Sequence, residues 1–160
     1  MSLTKSHPIW TTTNSNPYEV SKAIQQARFL SGRYRSEALC RHWSTNKNGW
    51  CLSPSCHETE EGVQHILLDC LAYSDVRKHH MAIWLSISDP ILHQLLHESL
   101  SSSQKYQLQF MLDCSVLPSV IAAVQLHGPR ILTSLFKLTR TLCHSIHRER
   151  MKLLGRWNFL

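Results

Sequence analysis

Cysteine and histidine are crowded into one short stretch of this chain. Gly49–Cys70, GWCLSPSCHETEEGVQHILLDC, holds three of the six cysteines and two histidines. It has almost no continuous apolar run with which to build a core of its own, so a cross-link or packing against the rest of the chain must hold it. A disulfide staple, a metal site and ordinary core thiols are the three arrangements open to it. The spacing Cys51-x4-Cys56-x8-His65-x4-Cys70 suits Zn2+, which takes four thiolate or imidazole donors in a tetrahedron. Ser53-Pro54 supplies a turn that brings the first two sulfurs to one side. His65 and Cys70 are five residues apart, somewhat askew on a regular helix, so a bent or frayed segment is expected between them. Cys40 and His42 stand as spare donors should Cys51 be out of reach. His57 is expected to face solvent, and Cys114 and Cys143, in apolar helical contexts, to lie in the core.

The opening residues, MSLTKSHPIWTTTNSNP, lack the apolar segment of a signal peptide. An intracellular location, nuclear or cytoplasmic and not secreted, is therefore expected. Reducing compartments keep thiols free, which turns clustered cysteines toward metal ligation. No apolar run reaches the ~18 residues of a membrane span, so no membrane contact is expected. A net charge of +6 and a pI near 9.2 suggest an anionic partner, RNA or DNA first.

Periodicity and punctuation predict an all-α fold, a helical domain built around a small CCHC zinc-knuckle-like loop. Residues 1–16 are polar and are expected as a disordered lead. Residues 17–50 form a helical lead-in. Asn16-Pro17 opens a helix over 17–30 with Val20, Ile24, Ala27 and Leu30 on its apolar side, and a shorter helix is expected in RYRSEALCRHW. Residues 51–70 are the knuckle, and residues 71–160 a C-terminal helical region. EEGVQHILLDCLAY and DVRKHHMAIWL continue in helix. Asp89-Pro90 opens another helix, SSSQKYQ breaks it, Pro118 opens SVIAAVQLH, and Gly128-Pro129 starts the last. In that last helix Ile131, Leu135, Leu138, Leu142, Ile146 and Leu153 form an apolar stripe, against a basic one of Lys137, Arg140, His144 and Arg148.

Motifs for common chemistries are missing from the sequence. It has no Gly-x-Ser-x-Gly elbow, phosphate-cradling glycine loop or His-Glu-x-x-His, and the order of His, Glu and Cys is wrong for a zinc deaminase. No enzyme activity is expected. Binding is the remaining chemistry. Arg130, Lys137, Arg140, Arg148, Arg150, Lys152 and Arg156 are opposed only by Glu149 and can contact phosphates without reading sequence. Tyr34, Trp43 and Trp50, interleaved with Arg33, Arg35 and Arg41, could stack unpaired bases beside those charges, although Trp50 is also placed to shield a metal at Cys51.

Cys51, Cys56, His65 and Cys70, with ETEEGVQHILLDCLAYSDVR around them, resemble the cysteine-histidine knuckle near the C-terminus of LINE-type (non-LTR) retrotransposon reverse transcriptases. Glu58-Thr59, His65, Ile66-Leu67-Leu68, Cys70, Tyr73 and Arg77 follow that family's pattern, and the flanks LSGRYRSEALCRHW and LTRTLCHSIHRERMKLLGRW are similar, so the likeness covers about residues 18–157. Departures are the Cys-x4-Cys gap, where shorter ones are frequent, and Leu71, where a proline often follows the last cysteine. The resemblance implies an accessory module gripping template RNA or target DNA, docked to a polymerase domain whose Tyr-x-Asp-Asp turn this sequence lacks. A zinc-stapled protein-interaction or structural module, or a retroelement remnant without selected activity, are the alternatives.

Overall fold

The fold is all-α. The computed structural model describes residues 6–42 and 48–155, and the helices are α1 (Pro8–Thr11), α2 (Pro17–Leu30), α3 (Glu37–Cys40), α4 (Ser74–Leu85), α5 (Pro90–Ser101), α6 (Gln104–Asp113), α7 (Pro118–His127) and α8 (Arg130–Leu153). Among the described residues the only β pairing is one bridge between Trp50 and Glu60. Local chemistry sets most of the starts. Asn16 and Asp89 cap α2 and α5 through their side chains, each followed by proline in the first turn, where its missing N–H costs nothing. Gly128, at φ 89°, ends α7 in a conformation that a side chain resists.

α8 is the spine, and α2, α4, α6 and α7 pack around it. Ile131, Leu135, Leu142 and Ile146 of its stripe are buried, together with Phe136 and Cys143. Leu153, in the last turn of α8, is half exposed. One apolar cluster runs from Ile9 through Phe29, Ile66, Leu67, Tyr73, Trp84 and Phe110 to α8 and takes in Cys114 and Cys143. Burying each large apolar side chain in it contributes about 1.5–3 kcal/mol.

Several sequence-based expectations change. Residues 1–16 are not a loose lead over their described part. His7 caps α1 and bonds Asp113 at 3.1 Å, and Ile9 is buried; Ile9 supplies the apolar anchor that the polar composition hides. α2 has the expected bounds but turns a different face inward: Ala23, Gln26 and Phe29 are buried, while Ile24 and Leu30 are exposed. Gln26 is accommodated because its amide donates to Met111 O at 2.8 Å and Thr139 Oγ1 at 2.9 Å. The second helix shrinks to the single turn of α3. SSSQKYQ is only briefly a break, since Ser103 caps α6. Residues 60–73 are not one helix but a π-helical turn, His65–Asp69, and a 3-10 turn, Leu71–Tyr73. Gln104–His127 is apolar on average over a span of membrane-crossing length, though Lys105, Gln109, Asp113 and Ser119 interrupt it. It is divided into α6, a 3-10 turn and α7, which begins at Pro118.

Candidate metal centre

Three short pieces bring the four donors together. The Trp50–Glu60 bridge carries Cys51, whose N–H donates to Thr59 O at 2.8 Å. Pro54 opens a 3-10 turn ending at Cys56. The chain then reverses through His57 and Glu58, both in the left-handed region at φ 36° and 37°, and the Thr59 hydroxyl donates to Cys56 O. This reversal turns His57 outward, as expected, and lets the chain return past Cys51. The π turn, with Cys70 N–H donating to His65 O at 2.7 Å, then aligns His65 with Cys70. It is the bent segment anticipated between them, since i→i+5 bonding brings residues five apart onto one side of the turn.

Cys51 Sγ lies 3.5 Å and Cys56 Sγ 3.7 Å from Cys70 Sγ, and the ligand atoms of all four residues lie within 4.8 Å of one another. A tetrahedral zinc with ~2.3 Å bonds to sulfur sets sulfur–sulfur edges of about 3.8 Å. A disulfide would need ~2.05 Å, and the cysteines are free. Cys51 Sγ accepts the Ser53 N–H at 3.4 Å, and the backbone N–H groups of Leu71 and Ala72 favour the charged forms of Cys56 and Cys70. Such donors suit thiolates, which accept hydrogen bonds far better than thiols do. His65 Nε2 is buried without a hydrogen-bond partner, the condition of an imidazole with an unspent lone pair. The donor set and its spacing therefore fit a four-coordinate metal.

Without a metal the three sulfurs are a poor match for burial. Burial pushes the Cys51 thiol up to about 12 and raises Cys70 as well. Burial acts in the same direction on Cys56, but the Leu71 N–H and the neighbouring thiols overcome it and hold that group below the ordinary range. Ordinary thiols so placed would gain little from the surrounding N–H groups.

Two buried ionic groups brace the site from outside. Arg77 donates from Nη2 to Cys70 O at 2.6 Å. Glu61, fully buried, accepts from Arg150 Nη2 at 2.6 Å and Nε at 3.1 Å, from Glu37 N–H at 2.9 Å and from Leu52 N–H at 3.3 Å. One carboxylate thus ties α8, α3 and the metal loop together. The sequence offers no local sign of this, because Glu61 and Arg150 are 89 residues apart. Arg77 stands in the knuckle pattern, but its contact with the Cys70 carbonyl is visible only once the chain folds.

The basic candidates divide. Arg33, Arg35, Arg41, Lys137 and Arg148 are exposed, and Arg41 pairs with Glu60 at 3.0 Å. Arg140 and Arg150 are not surface residues: both are 2% exposed. Arg140 holds Thr12 O at 2.7 Å and the Thr13 hydroxyl, and Arg150 is spent on Glu61 and Glu37. Tyr34 is stacked on Phe29 and buried, closed to bases, whereas Trp50 is exposed. Trp43 and Arg156 lie outside the described residues. Cys40 and His42 lie outside the four-donor group, which is complete without them. Arg28, which the sequence reading passed over, is exposed near the end of α2. Burial first, then the charges of His144, Arg150 and Arg28, lowers His147; burial, Lys22 and Arg148 lower His144. Arg28 and Arg148 therefore border the α2–α8 seam close to its buried histidines. Comparison of the chain with protein-family models, with curated proteins and with solved structures finds no match to any of them.

Proposed function

We propose that this chain is a zinc-stapled, non-catalytic helical module that grips RNA or DNA by its phosphates. The observation that carries the metal half is the convergence of Cys51, Cys56, His65 and Cys70 to within 4.8 Å. These four residues would hold one Zn2+, which supplies a cross-link between loop segments that have little core of their own. The nucleic-acid half rests on the net charge of +6, on the exposed Arg28, Arg33, Arg35, Lys137 and Arg148, and on the resemblance to the LINE-type knuckle region, whose partner polymerase domain would then be a further docking surface. Phosphate contacts of this kind give affinity without sequence preference.

A protein-interaction or purely structural module is the second reading, favoured by α7, which is apolar over most of its length yet leaves Ile121 42% and Leu126 78% exposed. One purified sample separates the two. Metal content is measured first, then binding to single-stranded RNA and DNA as salt is raised. One zinc per chain with binding that weakens steeply in salt supports the first reading; one zinc with no binding at low salt favours the second.

A further inference from the structure

A cleft of about 340 Å3 opens beside the metal loop, lined among others by Glu37, Asn48, Trp50, Cys51, His57 and Glu58. Its position next to a Trp invites the expectation of a stacked base, but its charge opposes one. Among the described residues no lysine or arginine lines it. Arg41, the guanidinium beside Gly49, is engaged by Glu60 at 3.0 Å. Glu58 is exposed and has no ion-pair or hydrogen-bond partner among the described residues. Three thiolates around a divalent zinc would add a net charge of about −1 at the Cys51 wall. On a chain of net charge +6 the described lining of this cleft is thus negative, and a base entering it would bring its phosphate toward like charge.

The opposite ligand fits each wall. Trp50, 41% exposed, offers an indole face, the best aromatic partner for a cation. Glu58 offers a carboxylate that a guanidinium can fork onto, and a planar guanidinium can stack on the indole at the same time, which a compact ammonium cannot. We infer that this cleft takes an arginine side chain of a partner polypeptide, stacked on Trp50 and paired with Glu58. The site is separate from the α2–α8 seam and draws on the metal reading only for the charge at Cys51.

The test uses the full chain and the tripeptide acetyl-Gly-Arg-Gly-amide, followed through the Trp50 indole N–H resonance, which Trp50→Phe identifies. Saturable shifts of that resonance are expected. Replacing arginine by neutral citrulline, or the chain by its Glu58→Gln variant, should weaken binding about tenfold or more. Glu58 is exposed and ligates nothing, so that variant should keep its zinc and its RNA binding. Equal binding of the citrulline peptide, no response to the arginine peptide, or a Trp50 shift with cytidine monophosphate in its place would each overturn the inference. Zinc content measured on the same samples reads the metal centre independently: one zinc with no arginine binding removes this inference alone.

Discussion

Arg77 is the residue whose surroundings say most about the centre. It is buried, its guanidinium holds the Cys70 carbonyl at 2.6 Å, and Nη1 is buried without a partner. Burial lowers its pKa, while the charges of Cys70, Asp69 and Cys56 act to raise it. If three thiolates hold one zinc there, a cation so placed would offset part of their excess negative charge, on the Cys70 side. Arg77→Met should weaken zinc binding about 10–100-fold, read by competition with a chelator; an unchanged affinity would reduce Arg77 to a packing residue. His147 gives a second residue-level expectation. Burial, with the nearby charges of His144, Arg150 and Arg28, lowers it to about 4, against ~6.5 in the unfolded chain. Between those values the unfolded chain binds the extra proton, so the stability is present above ~6.5 and is lost as pH falls toward 4, about 3 kcal/mol in full. Thermal unfolding measured from pH 7.5 to 5 should fall more steeply for the parent than for His147→Gln, whose amide oxygen can still accept from the Tyr34 hydroxyl, bonded at 3.0 Å in the parent. Parallel curves would contradict this. Arg140 and Arg150 mark the limit of what single residues disclose. Charged side chains are almost never fully buried unless paired, and their partners, Glu19 and Thr12 for one and Glu61 for the other, come from distant sequence.

At the level of elements, legibility followed the range of the interaction. Asn16-Pro17, Asp89-Pro90, Pro118 and Gly128-Pro129 marked helix ends because capping acts within one turn. The inward face of α2 was not legible, because Gln26 finds its partners on Met111 and Thr139, which only folding brings near. The four candidate ligands were legible as a set, since Cys and His at short spacing advertise ligand chemistry; the π turn that aligns two of them emerged only as a bend. Residue bounds that divide the knuckle, 51–70, from a C-terminal helical region, 71–160, do not by themselves show how the two are joined. The structure ties them together: Ile66, Leu67 and Tyr73 share the core with α8, and Glu61 joins Arg150. Cys70→Ser should therefore lower one cooperative transition of the whole chain, by about 4 kcal/mol or more. Circular dichroism together with hydrogen exchange reads it. An early local melt with α8 still protected would show two separable parts.

Over the whole molecule, composition gave the sign of the field but not its location. Of the six described basic side chains expected at phosphates along α8, Arg140 and Arg150 are internal, and charge reversal at Arg140 would break the fold rather than report on binding. Arg28 and Arg148, exposed along the α2–α8 seam, are the informative pair. Arg28→Glu with Arg148→Glu should weaken RNA binding and flatten its log–log salt dependence by about 1.5 units, the share of two phosphate contacts. An unchanged slope would move the account to the interaction-module reading. The central claim is the metal itself. X-ray absorption at the zinc edge, on the purified chain with its metal content determined, tests it most directly. The account predicts one zinc per chain with three sulfurs at about 2.3 Å and one nitrogen at about 2.0–2.1 Å. Well under one zinc in a fully helical chain, or a first shell of oxygen, would contradict it.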